Sequence, residues 1–168
     1  MAKPKCSFST AALFPRDSVE CLGLIARAGF GYAELMPQCF ADAGELFAAR
    51  AERCGVRVGS VHYPLAMFGM LYNAHPGMCA EAREFGRGLA RLCGRLGASV
   101  LVIHPHDPPK ESALRDRLEA PIVDNIADLA DACDAAGVTL AMENSPKGPG
   151  RDPQSLIAYI ASLSGRAK

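Results

Sequence analysis

The sequence predicts an α/β protein, a partial (β/α)8 barrel of about five βα units with parallel strands. Three observations carry that prediction. Amphipathic stretches ending in glycine are each followed within a few residues by a short apolar run. These runs are strand-sized and apolar nearly throughout, as in parallel sheets buried on both faces. Four of the five runs finish in a side chain able to ligate a metal or a substrate oxygen, namely Glu34, His62, His104 and Glu143.

The elements follow in order. Residues 5–10 form the first strand, and the loop behind it, Ala11 to Pro15, contains no glycine. Asp17 is placed to cap a helix over 19–28. Gly29 then relieves the left-handed conformation that ends a helix, and a strand over 32–36 follows. Gly55 precedes a strand over 56–62 in the same way. Residues 63–78 read as a long apolar loop with Met67, Phe68, Met70, Leu71 and Tyr72. Such a loop is a substrate lid, a subunit contact or a segment packed on neighbouring helices.

Helical period resumes with Phe85, Leu89, Leu92 and Leu96, closed by Gly97 before a strand over 99–104. Ile122, Ile126, Leu129 and Cys133 repeat the period, with Pro121 starting or kinking their helix. Gly137 announces a strand over 138–143. Asp152 and Pro153 open the last helix, over 156–163. Ser164 and Gly165 then repeat the helix-ending signature, with only Arg166, Ala167 and Lys168 behind them. On the barrel reading strand six is due there. The expectation is a single domain over 1–168 that lacks strands six to eight.

Composition bounds the function. The chain has 168 residues, and 49% hydrophobic with 21% charged residues describes a folded core rather than a disordered segment. Eighteen basic and eighteen acidic residues balance, which argues against a surface built wholly for nucleic acid. The longest apolar run, residues 98–103, is far short of the roughly 18–20 residues of a membrane span. The first residues lack the uninterrupted apolar region of a secretory signal. Seven scattered cysteines without a C-x-x-C pair read as reduced thiols, not as a disulfide framework or a cysteine zinc site. A cytoplasmic location follows as the expectation.

Five βα units also make a flavodoxin-like open sheet, the alternative fold. An open sheet collects ligand groups at one switch point, usually beside a glycine-rich phosphate loop after the first strand. That loop has no glycine here. A barrel instead gathers side chains from separate strands at its C-terminal mouth, and the four strand-end groups match that pattern. One histidine at a strand end is commonly a structural residue. Two imidazoles and a carboxylate aimed into one mouth make a divalent-metal site, so His62, His104 and Glu143 are the candidate ligands. His75 and His106 are read as solvent-facing. Lys147 with Gly148 and Gly150 is a weak phosphate candidate, and Ser145 lacks the base that a nucleophile needs.

Three segments carry a resemblance. They are Gly-Val-x-x-x-Ser-Val-His ending at His62, Leu-Gly-Ala-Ser-Val-Leu-Val-Ile-His-Pro around His104, and Gly-Val-Thr-Leu-Ala-Met-Glu-Asn around Glu143. In order and spacing the chain resembles the xylose isomerase-like TIM-barrel superfamily. That group holds sugar and sugar-phosphate isomerases and epimerases, and also the endonuclease IV type of abasic-site repair enzymes. The resemblance implies a metal-ligating and catalytic role for Glu143, metal or substrate contacts for His62 and His104, and a substrate contact for Glu34. It implies a divalent ion (zinc, manganese, cobalt or magnesium) and a sugar or sugar phosphate as substrate. The implied reaction is metal-assisted proton transfer next to a carbonyl.

The family's remaining ligands, an Asp and a His after strand six, a His on strand seven and a Glu on strand eight, have no counterpart in this sequence. The chain is therefore expected to be incomplete on its own, with a homo-oligomer or a complementing fragment as partner. Two alternatives stand beside the isomerase/epimerase reading. One is a metal-dependent abasic-site DNA endonuclease, with nucleic acid as partner. The other is a non-catalytic truncated barrel.

Overall fold

The structure is a computed structural model that describes residues 6–107 and 111–164. Five parallel strands form one sheet in the order β1-β2-β3-β4-β5. They are β1 (Ser7–Ser9), β2 (Tyr32–Leu35), β3 (Arg57–His62), β4 (Val100–Ile103) and β5 (Thr139–Met142). The helices are α1 (Ser18–Arg27), α2 (Glu45–Ala51), α3 (Phe68–Leu71), α4 (Pro76–Leu96), α5 (Ser112–Ala135) and α6 (Pro153–Ser164). The sequential order overturns the flavodoxin-like alternative, in which the order reverses at a switch point. Right-handed crossovers that all step the same way build a barrel wall.

The same stepping explains a second correction. Helices cover one face of the sheet, where Ala33, Leu35, Val61, Leu101 and Ile103 join a core with Phe85, Leu89 and Leu129. The alternate residues Glu34, Ser60, Val100, Val102 and Ala141 stay only half-buried. The sheet is thus not covered on both faces by these five units. Its second face is the concave one, which a barrel covers only by curling round to meet its own opposite wall.

Local signals set the element ends as expected. Asp17 Oδ1 accepts the N–H groups of Val19 and Glu20, each at 3.0 Å. Asp152 Oδ1 accepts that of Ser155 at 2.9 Å. Gly29, Gly55, Gly97 and Gly137 take φ of 87°, 74°, 70° and 69°, the left-handed values that make glycine the residue of choice there. The first strand is shorter than expected, because Thr10 begins a 3-10 turn. The Thr10 hydroxyl accepts the Met36 N–H at 2.8 Å and so ties β1 to the end of β2. Lys5, at the start of the expected strand, and Gly165 to Lys168 lie outside the described residues.

Two segments differ more. Residues 63–78 are largely helical: a 3-10 turn, Leu65–Met67, leads into α3, and α4 already starts at Pro76. Met70 and Leu71 are buried, so this segment packs on its neighbours. His75 is exposed, and its Nδ1 caps α4 by accepting the Gly77 N–H at 3.2 Å. Helix α5 starts at Ser112, which puts Pro121 inside it and not at its start. All seven cysteines are unpaired. Among the described residues no helix is long and apolar enough to cross a membrane.

Candidate metal centre

His62 is the last residue of β3, while His104 and Glu143 stand one residue beyond β4 and β5. The ladder holds these ends in place. Tyr63 N–H donates to the Val102 carbonyl and Glu143 N–H to that of Ile103, each at 2.8 Å. Because His104 and Glu143 keep the pleat phase of Val102 and Ala141, all three side chains rise from the concave face. One donor atom from each lies within 4.8 Å of those from the other two.

The hydrogen bonds define which nitrogen faces the site. His62 Nδ1 lies 2.7 Å from the Tyr63 carbonyl. A carbonyl only accepts, so Nδ1 carries a proton and Nε2 is the ring atom left to face the site. That Nε2 faces Glu143 Oε2 at 3.4 Å. The His62 side chain is 7% exposed and that of Glu143 49%, so the pair lies at the boundary between core and mouth. The His104 ring packs on His62 with centroids 5.0 Å apart. Its Nδ1 is buried without a hydrogen-bond partner.

These residues fit a divalent ion. Two ligand bonds of about 2.1 Å at a tetrahedral angle place their donors about 3.4 Å apart, which is the His62–Glu143 spacing. An Nδ1–H bound to a carbonyl is also the usual way a ligating imidazole is oriented. The donor set, two nitrogens and one carboxylate oxygen, suits borderline divalent metals.

The other expected residues are placed differently. Glu34 lies within β2 on the concave face, where its Oε2 accepts the Ser60 hydroxyl at 3.1 Å. It is not part of the three-residue group. Ser145 donates its hydroxyl to the Lys147 carbonyl at 2.8 Å, a loop bond rather than a nucleophile's pairing. Lys147 itself is exposed. A side chain at Gly150 would put its Cβ 2.6 Å from the Ser145 nitrogen, so this glycine serves close packing.

His106 is a correction. It is half-buried, stacked on Tyr72 with centroids 5.0 Å apart and planes at 8°. Burial lowers its pKa, with Asp107 opposing. The sequence offered only a polar loop after His104; the covering ring comes from α3's C-terminal end. The aromatic wall that Tyr63, Phe68 and Tyr72 form beside the two histidines was also not foreseen. Phe68 stacks on Tyr63 at 5.4 Å and on Tyr72 at 5.5 Å. Its i, i+4 spacing from Tyr72 was the available signal.

A parallel sheet stepping in one direction, with an imidazole pair and a carboxylate at its strand ends, defines a β/α-barrel protein with a candidate metal centre at its mouth. Residues 22–167 match the family described as xylose isomerase-like TIM barrel, and the chain belongs to that family. No curated protein matches it by sequence. Among solved structures it is similar to a D-tagatose 3-epimerase-like protein, with TM-score 0.72 and 16% identity over 94% of this chain and 60% of that one. It is similar to D-allulose 3-epimerase from Methylomonas sp. in complex with D-allulose, with TM-score 0.67 and 18% identity over 98% and 61%. A xylose isomerase-like TIM-barrel protein from Mycobacterium smegmatis in complex with magnesium gives TM-score 0.68 and 12% identity over 96% and 62%. At these identities the likeness is one of fold. The chain spans about three fifths of the length of each of these neighbours.

Proposed function

We propose that the chain carries half of the active site of a sugar or sugar-phosphate isomerase/epimerase, with a divalent metal held by His62, His104 and Glu143. One observation carries the reading. His62 Nε2 and the Glu143 carboxylate are turned toward each other at 3.4 Å, with a donor atom of a second imidazole within 4.8 Å of both. A cation between them satisfies that arrangement. The sugar names of two structural neighbours support this substrate class over abasic DNA.

When bound, the ion supplies Lewis-acid polarisation of carbonyl and hydroxyl oxygens. His62, locked by the Tyr63 carbonyl, presents a fixed nitrogen. His104 supplies the second ring, directed to metal or substrate. Glu143 is half-exposed at the mouth, and its carboxylate moves the proton at the carbon next to the carbonyl. Glu34 contacts the substrate from β2, with Ser60 holding its carboxylate. The remaining ligands come from further β/α units that pair with β5 and β1, in this or another chain. The unpaired thiols suit a reducing compartment such as the cytoplasm.

Isothermal titration with Mn²⁺, Co²⁺ and Zn²⁺ tests the shared site. Replacing His62, His104 or Glu143 with Ala is expected to weaken binding by about tenfold or more each. Unchanged affinity in all three variants would refute the metal reading.

A further inference from the structure

We propose that α3 is a positioning clamp for this centre: Phe68 fixes the orientation of both imidazoles, and Tyr72 fixes the strand end that carries His104. The inference rests on the metal reading above. It begins from an asymmetry between the two histidines. His62 is oriented by the hydrogen bond from its Nδ1 to the Tyr63 carbonyl. His104 has a buried Nδ1 with no such partner, so packing must set the plane of its ring.

Phe68 provides that packing. Its ring meets His104 with centroids 5.7 Å apart at 69°, and His62 at 6.4 Å and 75°. Edge-on contacts of this kind are a preferred arrangement of aromatic rings. Phe68 is itself held between Tyr63 and Tyr72, with planes at 15° and 13° to theirs. It cannot turn without moving both.

Tyr72 adds a second restraint by donating its hydroxyl to the His104 carbonyl. The stack ends on His106, two residues further along the same loop. Helix α3 with its C-cap Tyr72 thereby links the ends of β3 and β4 through side chains, beyond the last backbone bond between them, from Tyr63 N–H to the Val102 carbonyl. Phe68 and Tyr72 place no donor atom in the ligand group, and they act through His62 and His104.

The test titrates the 168-residue chain with Co²⁺, followed by calorimetry and by visible absorption. Phe68→Leu and Tyr72→Phe are each expected to weaken Co²⁺ binding by about tenfold and to alter the cobalt spectrum, while Phe68→Tyr, which keeps the ring, stays within about twofold of wild type. Val123→Ala, a core change in α5, should lower the unfolding midpoint and leave Co²⁺ affinity unmoved. An equal loss of affinity in Val123→Ala would mean general loosening and overturns the clamp. Wild-type affinity and spectrum in Phe68→Leu and Tyr72→Phe, with binding lost in His104→Ala, overturns the clamp and leaves the metal reading standing. Wild-type binding in His62→Ala, His104→Ala and Glu143→Ala removes both.

Discussion

His62 shows how one hydrogen bond sets the chemistry of a side chain. Its Nδ1 is committed to the Tyr63 carbonyl, so Nε2 is the atom left for the mouth. Two cysteines of the core show the opposite outcome, in which burial silences reactive groups. Cys93 on α4 and Cys133 on α5 are fully buried. Burial pushes their thiols up to about 12 and about 11, with the adjacent groups Cys133 and Asp134 adding to the respective shifts. A thiol reagent at neutral pH should therefore modify the exposed Cys6 and Cys39 and spare Cys93 and Cys133 until the chain unfolds. Mass spectrometry of the labelled chain checks this.

The unfolded chain releases its thiol protons first, from about pH 8.5. Stability is therefore full below that pH and is lost as the pH climbs toward the folded-state values. Urea midpoints measured across this alkaline range should fall, and fall less in Cys93→Ala.

At the scale of elements, the sheet supplies the site and the segments after each strand tune it. The loop from β5 to α6 carries Glu143 at one end. Its close fit depends on Gly150, whose carbonyl accepts the Ser145 N–H at 3.1 Å. A methyl there would meet Ser145 nitrogen and Oγ at 2.6 Å and Pro105 at 2.9 Å. These are partly backbone contacts, so the loop has to shift. Gly150→Ala is expected to destabilise the chain by about 1–3 kcal/mol through overpacking. Chemical denaturation measures that cost. An unchanged midpoint would show that the loop yields freely. The helix-ending glycines and the caps at Asp17 and Asp152 were legible because they depend on neighbours in sequence. For Pro121 the sequence left two readings, the start of the helix or a place within it, and only tertiary packing of the residues around it, such as Ile122 and Ile126, decides for the second.

For the whole molecule, the governing fact is that β1 and β5 each have one strand neighbour among the described residues. An open parallel edge presents unpaired backbone groups, and the concave face exposes Val100 and Val102 in part. Beside β5, an apolar groove of about 200 Å³ lies between α5 and α6, lined by Ile126, Leu140, Met142 and Leu163 among others. The isolated 168-residue chain is expected to self-associate or to gain stability from a complementary β/α fragment. In hydrogen exchange, β3 and β4 should be the most protected strands and β1 and β5 the least. Size-exclusion chromatography with exchange mass spectrometry tests both statements. A monomer with uniform protection across the sheet contradicts them.

The sequence by itself determined the alternation of strand and helix, the residues that end each helix, and the three strand-end groups His62, His104 and Glu143. Each of these rests on local physics: the period of apolar residues, the left-handed backbone of glycine, and the fixed position of a strand's last residue. Tertiary structure alone decided the sequential strand order, the half-buried concave face and the distance at which the donors meet. It also decided that Glu34 pairs with Ser60 outside the cluster, and that His106 lies under Tyr72 rather than in solvent. Those features depend on contacts between residues far apart in the chain. No periodicity encodes such contacts, because each is set by how whole elements pack rather than by the neighbours of any one residue.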